Sequence, residues 1–140
     1  MTHWLLKTEP DVFSWDDQVK RGAKGEPWTG VRNHTAKRNL KAMKKGERGF
    51  FYHTGDERRV VGVVEVIREA YPDPTDETGV FVAVDVKAVA PVPKPVTLAD
   101  IKATAKLADM LLVRQSRLSV MPVTDADWRV ICQMAGATSL

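Results

Sequence analysis

Cysteine, histidine and long hydrophobic runs are scarce in this sequence of 140 residues, and each scarcity excludes a class of protein. The single cysteine, Cys132, cannot form an internal disulfide, which is typical of a reducing compartment. The apolar runs are far shorter than the roughly 18 residues that a membrane-spanning helix needs. Residues 1–10 lack a basic region followed by a long apolar stretch, so they do not resemble a signal peptide. We therefore expect a cytoplasmic protein with no membrane partner.

Motifs for catalysis and for cofactors are missing as well. His3, His34 and His53 are too scattered to form a zinc motif, and the sequence contains no P-loop, no G-x-G-x-x-G and no G-x-S-x-G. Cys132 falls within a predicted helix, where a packed small side chain is the default interpretation. We expect no cofactor and no catalytic residue.

Four acids near the first predicted strand are the remaining candidates for metal chemistry. Glu9, Asp11, Asp16 and Asp17 could in principle hold Mg²⁺ in a nuclease. Asp16 and Asp17 fall in a predicted first helical turn, however, where acids stabilise the helix dipole in any case. We therefore predict no metal site.

Composition and charge indicate one globular domain with an anionic partner. A hydrophobic content of 44% and a charged content of 28% are ordinary values, and the length suits a single domain at residues 1–140. Residues 28–59 hold nine Lys/Arg and three acids, a net charge of +6, so the rest of the chain carries −3. A basic segment in an otherwise acidic chain is typical of a protein that binds a polyanion. A solvated basic surface is the alternative.

Capping residues and hydrophobic periodicity predict short helices around a sheet. Ser14, Thr97 and Thr124 each precede an aspartate by three residues, a variant of the capping box, so helices should begin there. An apolar stripe predicts a further helix over 34–45. Strands are predicted over 3–8, 48–54, 58–69, 80–90 and 116–123, with the second and third joined as a hairpin. Few strands are separated by helices of crossover length, so we predict an α+β fold: a mostly antiparallel sheet curled toward a barrel and flanked by short helices.

The stretch WTGVRNHTAKRN (28–39) combines an indole with hydrogen-bonding and cationic side chains. A pocket for one nucleobase needs a flat aromatic wall and fixed polar groups that read the edge of the base. Trp28 and Tyr52 can supply the wall, and Asn33 and Asn39 the edge contacts. We place Trp28 on the rim of the domain, outside the core.

Cations beside this stretch are candidates for phosphate contacts. Lys37, Lys41 and Lys44 recur along one stripe of the predicted helix, and Arg38 lies beside them. We predict that these four side chains bind the phosphates of a nucleic acid.

Several blocks along the chain resemble the EVE domain family, which includes thymocyte nuclear protein. They are WLLKTEPDVFSWDDQV, WTGVRNHTAKRNLKAMKKGERGFFYHTGD, VVGVVEVIREAYPDPT, VAVDVK, PVTLADIK and LVRQSRLSVMPVT, in order from about Trp4 to Trp128. The resemblance implies a single PUA-like barrel domain related to the YTH readers of methylated adenine. It also implies a non-enzymatic reader of a modified base, either modified cytosine in DNA or a modified base in RNA. Some members are joined to nucleases, so a separate nuclease or modification enzyme is an expected partner of this chain, which we expect to be a monomer.

The same resemblance implies a base pocket built from several segments of the sequence. Its residues are Lys7, Thr8, Glu9, Trp28, Val31, Arg32, Asn33, His34, Tyr52, His53, Ser116, Arg117 and Ser119. Two of them depart from the family pattern, because Thr8 stands where serine is common and His34 where tyrosine is common. In the first case the hydroxyl group is retained and a methyl group is added, whereas in the second a side chain that responds to charge replaces the usual wall residue.

Two other classes of function stay open on the sequence alone. The first is an RNA- or nucleotide-modifying enzyme, or an accessory subunit of one, since PUA-like domains often accompany modification chemistry. The second is a pocket for a small free metabolite such as a nucleoside. The basic segment favours a polymer over a free nucleoside, and no paired nucleophile and base supports an enzyme.

Overall fold

The structure is a computed structural model that describes residues 1–137. Within these residues the protein has a six-stranded mixed sheet and five α-helices. The strands are β1 (His3–Thr8), β2 (Glu26–Pro27), β3 (Arg48–His53), β4 (Arg59–Pro72), β5 (Val82–Thr97) and β6 (Val120–Val123). Their order in the sheet is β2-β5-β4-β3-β1-β6, and every neighbouring pair is antiparallel except β1 with β3. The α+β class and the mostly antiparallel sheet are therefore confirmed.

The sheet is not closed into the barrel that the sequence predicts. Strands β2 and β6 lie at its two edges and do not pair with each other within the described part of the chain. The long hairpin of β4 and β5 shifts register at four places. Extra residues at such shifts bend a strand and increase its twist. They allow an open sheet to curve without its edges meeting.

The helices are short, and three of the five begin at the predicted caps. They are α1 (Trp15–Lys20), α2 (His34–Ala42), α3 (Leu98–Lys102), α4 (Leu111–Arg114) and α5 (Asp125–Met134). The hydroxyls of Ser14, Thr97 and Thr124 each accept a hydrogen bond from the N–H group three residues on, which satisfies a donor that a helix start leaves free. No helix in residues 1–137 is long and apolar enough to cross a bilayer.

Several predicted elements end or begin at different residues, and β5 continues to Thr97 rather than ending at residue 90. Side chains explain two of the differences. Helix α2 stops at Ala42 rather than at residue 45, because the N–H of Lys44 donates to the Glu47 carboxylate (2.7 Å) and not to a helix carbonyl. Strand β5 begins at 82 rather than 80, because Asp76 accepts the N–H of Val80 (3.0 Å) and holds that residue in a turn. Strand β6 covers only the second half of the predicted 116–123, and residues 115–118 form a turn.

Aromatic side chains anchor helices and loops to both faces of the sheet. Phe50 and Phe51 are neighbours on β3, so their side chains lie on opposite faces. Phe50 stacks on Trp128 of α5, with ring centroids 3.9 Å apart. Phe51 meets Trp15 of α1 edge-on at 5.2 Å and Trp28 edge-on at 5.6 Å. The Phe51 face therefore carries the tryptophan that the sequence assigns to the base pocket.

The packing of α1 on the sheet depends on the lack of a side chain at Gly62 of β4. A Cβ atom there would lie 2.5 Å from the Cη2 and Cζ3 atoms of Trp15, which is closer than carbon atoms approach. We expect Gly62→Ala to lower the free energy of unfolding by about 1–3 kcal/mol through overpacking, measured by urea denaturation. In a Trp15→Leu background the same substitution should be much less harmful. An equal destabilisation in both backgrounds would show that the indole is not the obstacle.

Candidate functional site

A cavity of about 420 Å³ opens beside the carboxyl end of β1. Its volume lies in the range of small-ligand pockets, roughly 300–1,000 Å³. Seven of the predicted pocket residues line it: Lys7, Thr8, Trp28, Val31, Arg32, Asn33 and Ser119. We call this space the base cavity, and the structure thus brings together three of the predicted segments around one opening.

Trp28 lines the base cavity but is also part of the core. Only 7% of the residue is exposed, and its ring meets those of Phe13 and Phe51 edge-on, at centroid distances of 6.4 and 5.6 Å. The backbone N–H of Trp28 donates to the carbonyl of Val84 (2.7 Å). This bond continues the pairing of β2 with β5 and turns the indole inward. The prediction of a rim indole outside the core is therefore wrong. Removing this side chain would unsettle the fold as well as the cavity.

A buried carboxylate holds the loop that follows Trp28. The side chain of Asp73 is 0% exposed and accepts hydrogen bonds from the Gly30 N–H (2.8 Å), from Arg32 Nη1 (3.0 Å) and from the N–H and hydroxyl of Thr75 (both 2.7 Å). Burial raises the pKa of Asp73, but these hydrogen bonds outweigh burial and hold the pKa at about 2. The guanidinium of Arg32 is thus committed to a structural ion pair and does not point freely at a ligand.

A cation and a hydroxyl mark the end of β1 at the cavity. Lys7 Nζ donates to the carbonyl of Ser116 (3.0 Å), and the Lys7 N–H donates to the carbonyl of Ser119 (2.9 Å). Burial lowers the pKa of Lys7. The Thr8 hydroxyl donates to the carbonyl of Phe13 (2.9 Å), which closes the turn that brings Phe13 to the cavity wall.

Asn33 has one half of its amide available to a ligand. Its Oδ1 caps α2 by accepting the N–H of Ala36 (2.9 Å), while its Nδ2 has no hydrogen-bond partner within residues 1–137. Asn39 differs, because its Nδ2 donates to the carbonyl of Val120 (2.7 Å) and ties α2 to β6. Of the two asparagines singled out in the sequence, only Asn33 lines the cavity.

Tyr52 and His53 of β3 lie outside the lining of the base cavity. Tyr52 is 2% exposed, and its burial raises the pKa of the phenol to about 12. His53 Nε2 accepts the N–H of Trp15 (3.0 Å), so the proton of the neutral ring is on Nδ1, which lies 2.9 Å from Glu57 Oε1. Both ring nitrogens of His53 are therefore engaged, Nε2 at the start of α1 and Nδ1 at Glu57.

The other four predicted pocket residues also lie outside the lining of the base cavity. Glu9 is exposed, and His34 stacks at a tilt on Phe81, with ring centroids 5.2 Å apart. Ser116 and Arg117 line a neighbouring cavity rather than the base cavity. The structure therefore separates the predicted pocket set into residues that surround the base cavity and residues that do not.

Six residues of the lining were not predicted from the sequence. They are Val12, Phe13, Glu26, Pro27, Thr29 and Gly30. A signal for Phe13 was available, since the turn-forming Glu-Pro-Asp stretch ends two residues before it and can reverse the chain toward β1. Val12 comes from the same turn, and the other four residues lie within two positions of Trp28 and come to the cavity with it.

Three of the predicted phosphate-binding cations lie on α2, which begins at the cavity, and Lys44 lies two residues beyond the end of that helix. Lys37 is partly buried, whereas Arg38, Lys41 and Lys44 are exposed. Asn33 both caps this helix and lines the base cavity, so the cationic surface continues outward from the opening. The phosphate-binding role of these side chains stays a prediction.

A larger cavity lies elsewhere and has the wrong charge for an anionic ligand. It measures about 490 Å³ and lies between the N-terminus and the start of α5. Asp109, Asp125 and Asp127 line it, and carboxylates at this density repel phosphates. The base cavity is therefore the better candidate despite its smaller volume.

Taken with the fold, the base cavity defines a small α+β domain with a cavity of the size that a small ligand needs. The family model of the EVE domain matches residues 2–134. Thymocyte nuclear protein 1 of Gallus gallus is 31% identical over 164 aligned residues, which cover 94% of this chain and 68% of the relative. Rpa0253 of Rhodopseudomonas palustris, a solved structure, is 56% identical with a TM-score of 0.92 over 97% of this chain and 94% of that one. The chain belongs to the EVE domain family, and the resemblance seen in its sequence is confirmed.

Two further solved structures contain nucleic acids. Human THYN1, solved in complex with DNA that contains 5-methylcytosine, is 30% identical with a TM-score of 0.89, over 96% of this chain and 98% of that one. The YTH domain of Zygosaccharomyces rouxii MRB1, solved with N6-methyladenosine RNA, is 15% identical with a TM-score of 0.56, over 99% of this chain and 88% of that one. The second likeness is one of fold alone.

The hydrogen bonds of Asp73 predict a pH-dependent cavity wall. We expect Asp73→Asn to lower the free energy of unfolding by about 1–3 kcal/mol at neutral pH, because the variant removes hydrogen bonds to a charged acceptor. The folded pKa, about 2, lies below the ordinary 3.8, so this stabilisation is present above pH 3.8 and disappears as the pH falls to about 2. The difference between the wild-type protein and the variant should shrink over that interval.

Hydrogen exchange provides the local measurement for the same variant. The Gly30 amide should exchange faster in Asp73→Asn, whereas the Phe81 amide, which donates to Asp76 (2.8 Å), should not. Asp76→Asn is the matched control, since Asp76 belongs to the same turn but has no contact with Gly30 or Arg32. A Gly30 amide that is equally protected in both variants would contradict the assigned role of Asp73.

Proposed function

We propose that the protein is a non-enzymatic reader that holds one modified nucleobase of a nucleic acid in the base cavity. The observation that carries the proposal is the cavity itself. It has the volume of a small-ligand pocket, an indole in its wall and a free amide donor at its edge. The DNA containing 5-methylcytosine in the human THYN1 structure supports modified cytosine as the ligand class.

Different residues of the base cavity would contact different parts of a bound base. Trp28 and Phe13 offer apolar surface to the faces of a base, and stacking on an aromatic side chain contributes roughly 1–3 kcal/mol whichever base is bound. The Nδ2 group of Asn33 is a donor for the base edge, where identity is read. A base reaches such a cavity only when it is unpaired or flipped out of a duplex. Flipping costs a few kcal/mol of unstacking and unpairing, and a base that is already single-stranded avoids most of this cost.

The charge of the chain supports a polymer as the ligand. Residues 28–59 carry a net charge of +6 and include both the loop of the base cavity and helix α2. A free nucleoside has no phosphates for this surface to attract. We propose either modified DNA or modified RNA as the partner of a cytoplasmic monomer that acts beside a separate nuclease or modification enzyme.

Binding to a panel of oligonucleotides tests the proposal. We expect strands with 5-methylcytosine, or with another modified base, to bind more tightly than the unmodified strand and to be recovered with unchanged mass. Asn33→Ser keeps an oxygen that caps α2 but removes the amide donor, so it should lower discrimination by about 1–3 kcal/mol for the base that used that donor. Binding is measured by titration calorimetry.

Asn39→Ser is the matched control, because Asn39 is an asparagine of the same helix that lies outside the cavity. It should leave discrimination between bases unchanged. Equal binding of modified and unmodified strands by the wild-type protein would contradict a reader function. A nick, a released base or an altered modification would indicate an enzyme.

The exposed lysines at the end of α2 and just beyond it predict a second, sequence-independent effect. Lys41→Gln combined with Lys44→Gln should weaken binding to all strands alike and reduce the slope of log affinity against log salt by roughly 0.7–0.9 for each phosphate that is no longer neutralised. Lys102→Gln combined with Lys106→Gln removes the same charge outside both the base cavity and α2 and should leave the slope unchanged. If the two double variants behave alike, the α2 surface is merely solvated.

A further inference from the structure

A second cavity of about 320 Å³ adjoins the base cavity. It is formed by Asn33, Thr35 and the turn at residues 114–118, and we call it the turn cavity. Asn33 lines both cavities, and Lys7 of the base cavity donates a hydrogen bond to Ser116 of the turn cavity (3.0 Å). The two cavities are therefore neighbours that share one wall.

The turn cavity is positively charged. Arg114 and Arg117 line it, both are exposed, and none of its described lining residues is acidic. Arg114 is partly neutralised by Asp109, 2.6 Å away, whereas Arg117 has no carboxylate partner within residues 1–137. The planar guanidinium of arginine matches two phosphate oxygens at once. Arg117 is therefore the cation in this cavity that is free to bind an anion.

The position of Arg117 distinguishes it from the lysines of α2. The phosphate nearest to a bound base is joined to that base through a single sugar, so it must lie beside the base cavity. No lysine of α2 lines either cavity, whereas Arg117 lines the cavity that shares the Asn33 wall. The lysines of α2 are placed to contact phosphates farther along the strand.

We infer that the turn cavity is a phosphate subsite that binds the phosphodiester adjacent to the base held in the base cavity, with Arg117 as its main ligand. The inference rests on the proposed reader function and extends it, because it assigns the direction in which the strand leaves the base. It also changes the role of Arg117 from a contact with the base to a contact with the backbone. Such a contact adds affinity without discriminating between bases.

A cycle that combines a protein variant with a backbone substitution tests this subsite. The probes are a short single strand with a central 5-methylcytosine and two versions in which the phosphate on its 5′ or its 3′ side is replaced by an uncharged methylphosphonate. In the wild-type protein, one of the two replacements should weaken binding about tenfold, as expected for removal of one charge-assisted hydrogen bond. In Arg117→Gln the same replacement should change binding by less than about twofold, because the partner of that phosphate is gone.

Lys44→Gln is the matched control, since it removes one positive charge just beyond the end of α2 and should retain the tenfold effect of the uncharged linkage. A tenfold effect that survives in Arg117→Gln, or an effect that disappears in Lys44→Gln instead, would overturn the assignment. The assignment would also be overturned if neither neutral linkage weakened binding to a wild-type protein that still prefers the methylated strand. If the wild-type protein does not distinguish methylated from unmethylated strands, the proposed reader function fails, and the subsite fails with it.

Discussion

The buried carboxylate of Asp73 is the constraint on which the base cavity depends. It joins the loop after β2 to the turn between β4 and β5, and its partner Gly30 is 43 residues away in the sequence. A fully buried carboxylate is tolerated only when its oxygens accept hydrogen bonds, and donors from Gly30, Arg32 and Thr75 supply them. The loop carries Trp28 at one end and Asn33 at the other. The distance between the aromatic wall and the amide is thus held by a carboxylate that does not itself line the cavity.

Charge is distributed over the surface so that an anionic strand has one favourable path. The larger cavity at the start of α5 is lined by carboxylates, while the turn cavity and α2 present arginine and lysine side chains. The base cavity lies next to the positive region, and its own cation, Lys7, is held at the boundary by Ser116. Neutral recognition of a base and electrostatic attraction of its backbone therefore occur on adjacent surfaces, through different residues.

Local features of this structure could be predicted from the sequence, and long-range partnerships could not. The caps at Ser14, Thr97 and Thr124 depend on groups three residues away, so a short stretch of sequence contains the whole interaction. The ion pair of Arg32 and the hydrogen bond that Trp15 donates to His53 join distant segments, and nothing in either segment specifies the other. Closure of the sheet is a property of all six strands together. For this reason five of the six strands were located approximately, while β2 was missed and a closed barrel was not confirmed.

The double role of Trp28 restricts how the selectivity of this domain can change. A side chain that supports Phe13 and Phe51 from within the core cannot be exchanged for a larger or smaller one without repacking both rings. Val12, with 75% of its surface exposed, and the exposed Thr29 line the same cavity and are under no such restriction. Evolution or design can therefore adapt the cavity to a different chemical group on the base most readily from its solvent side, while the indole stays in place.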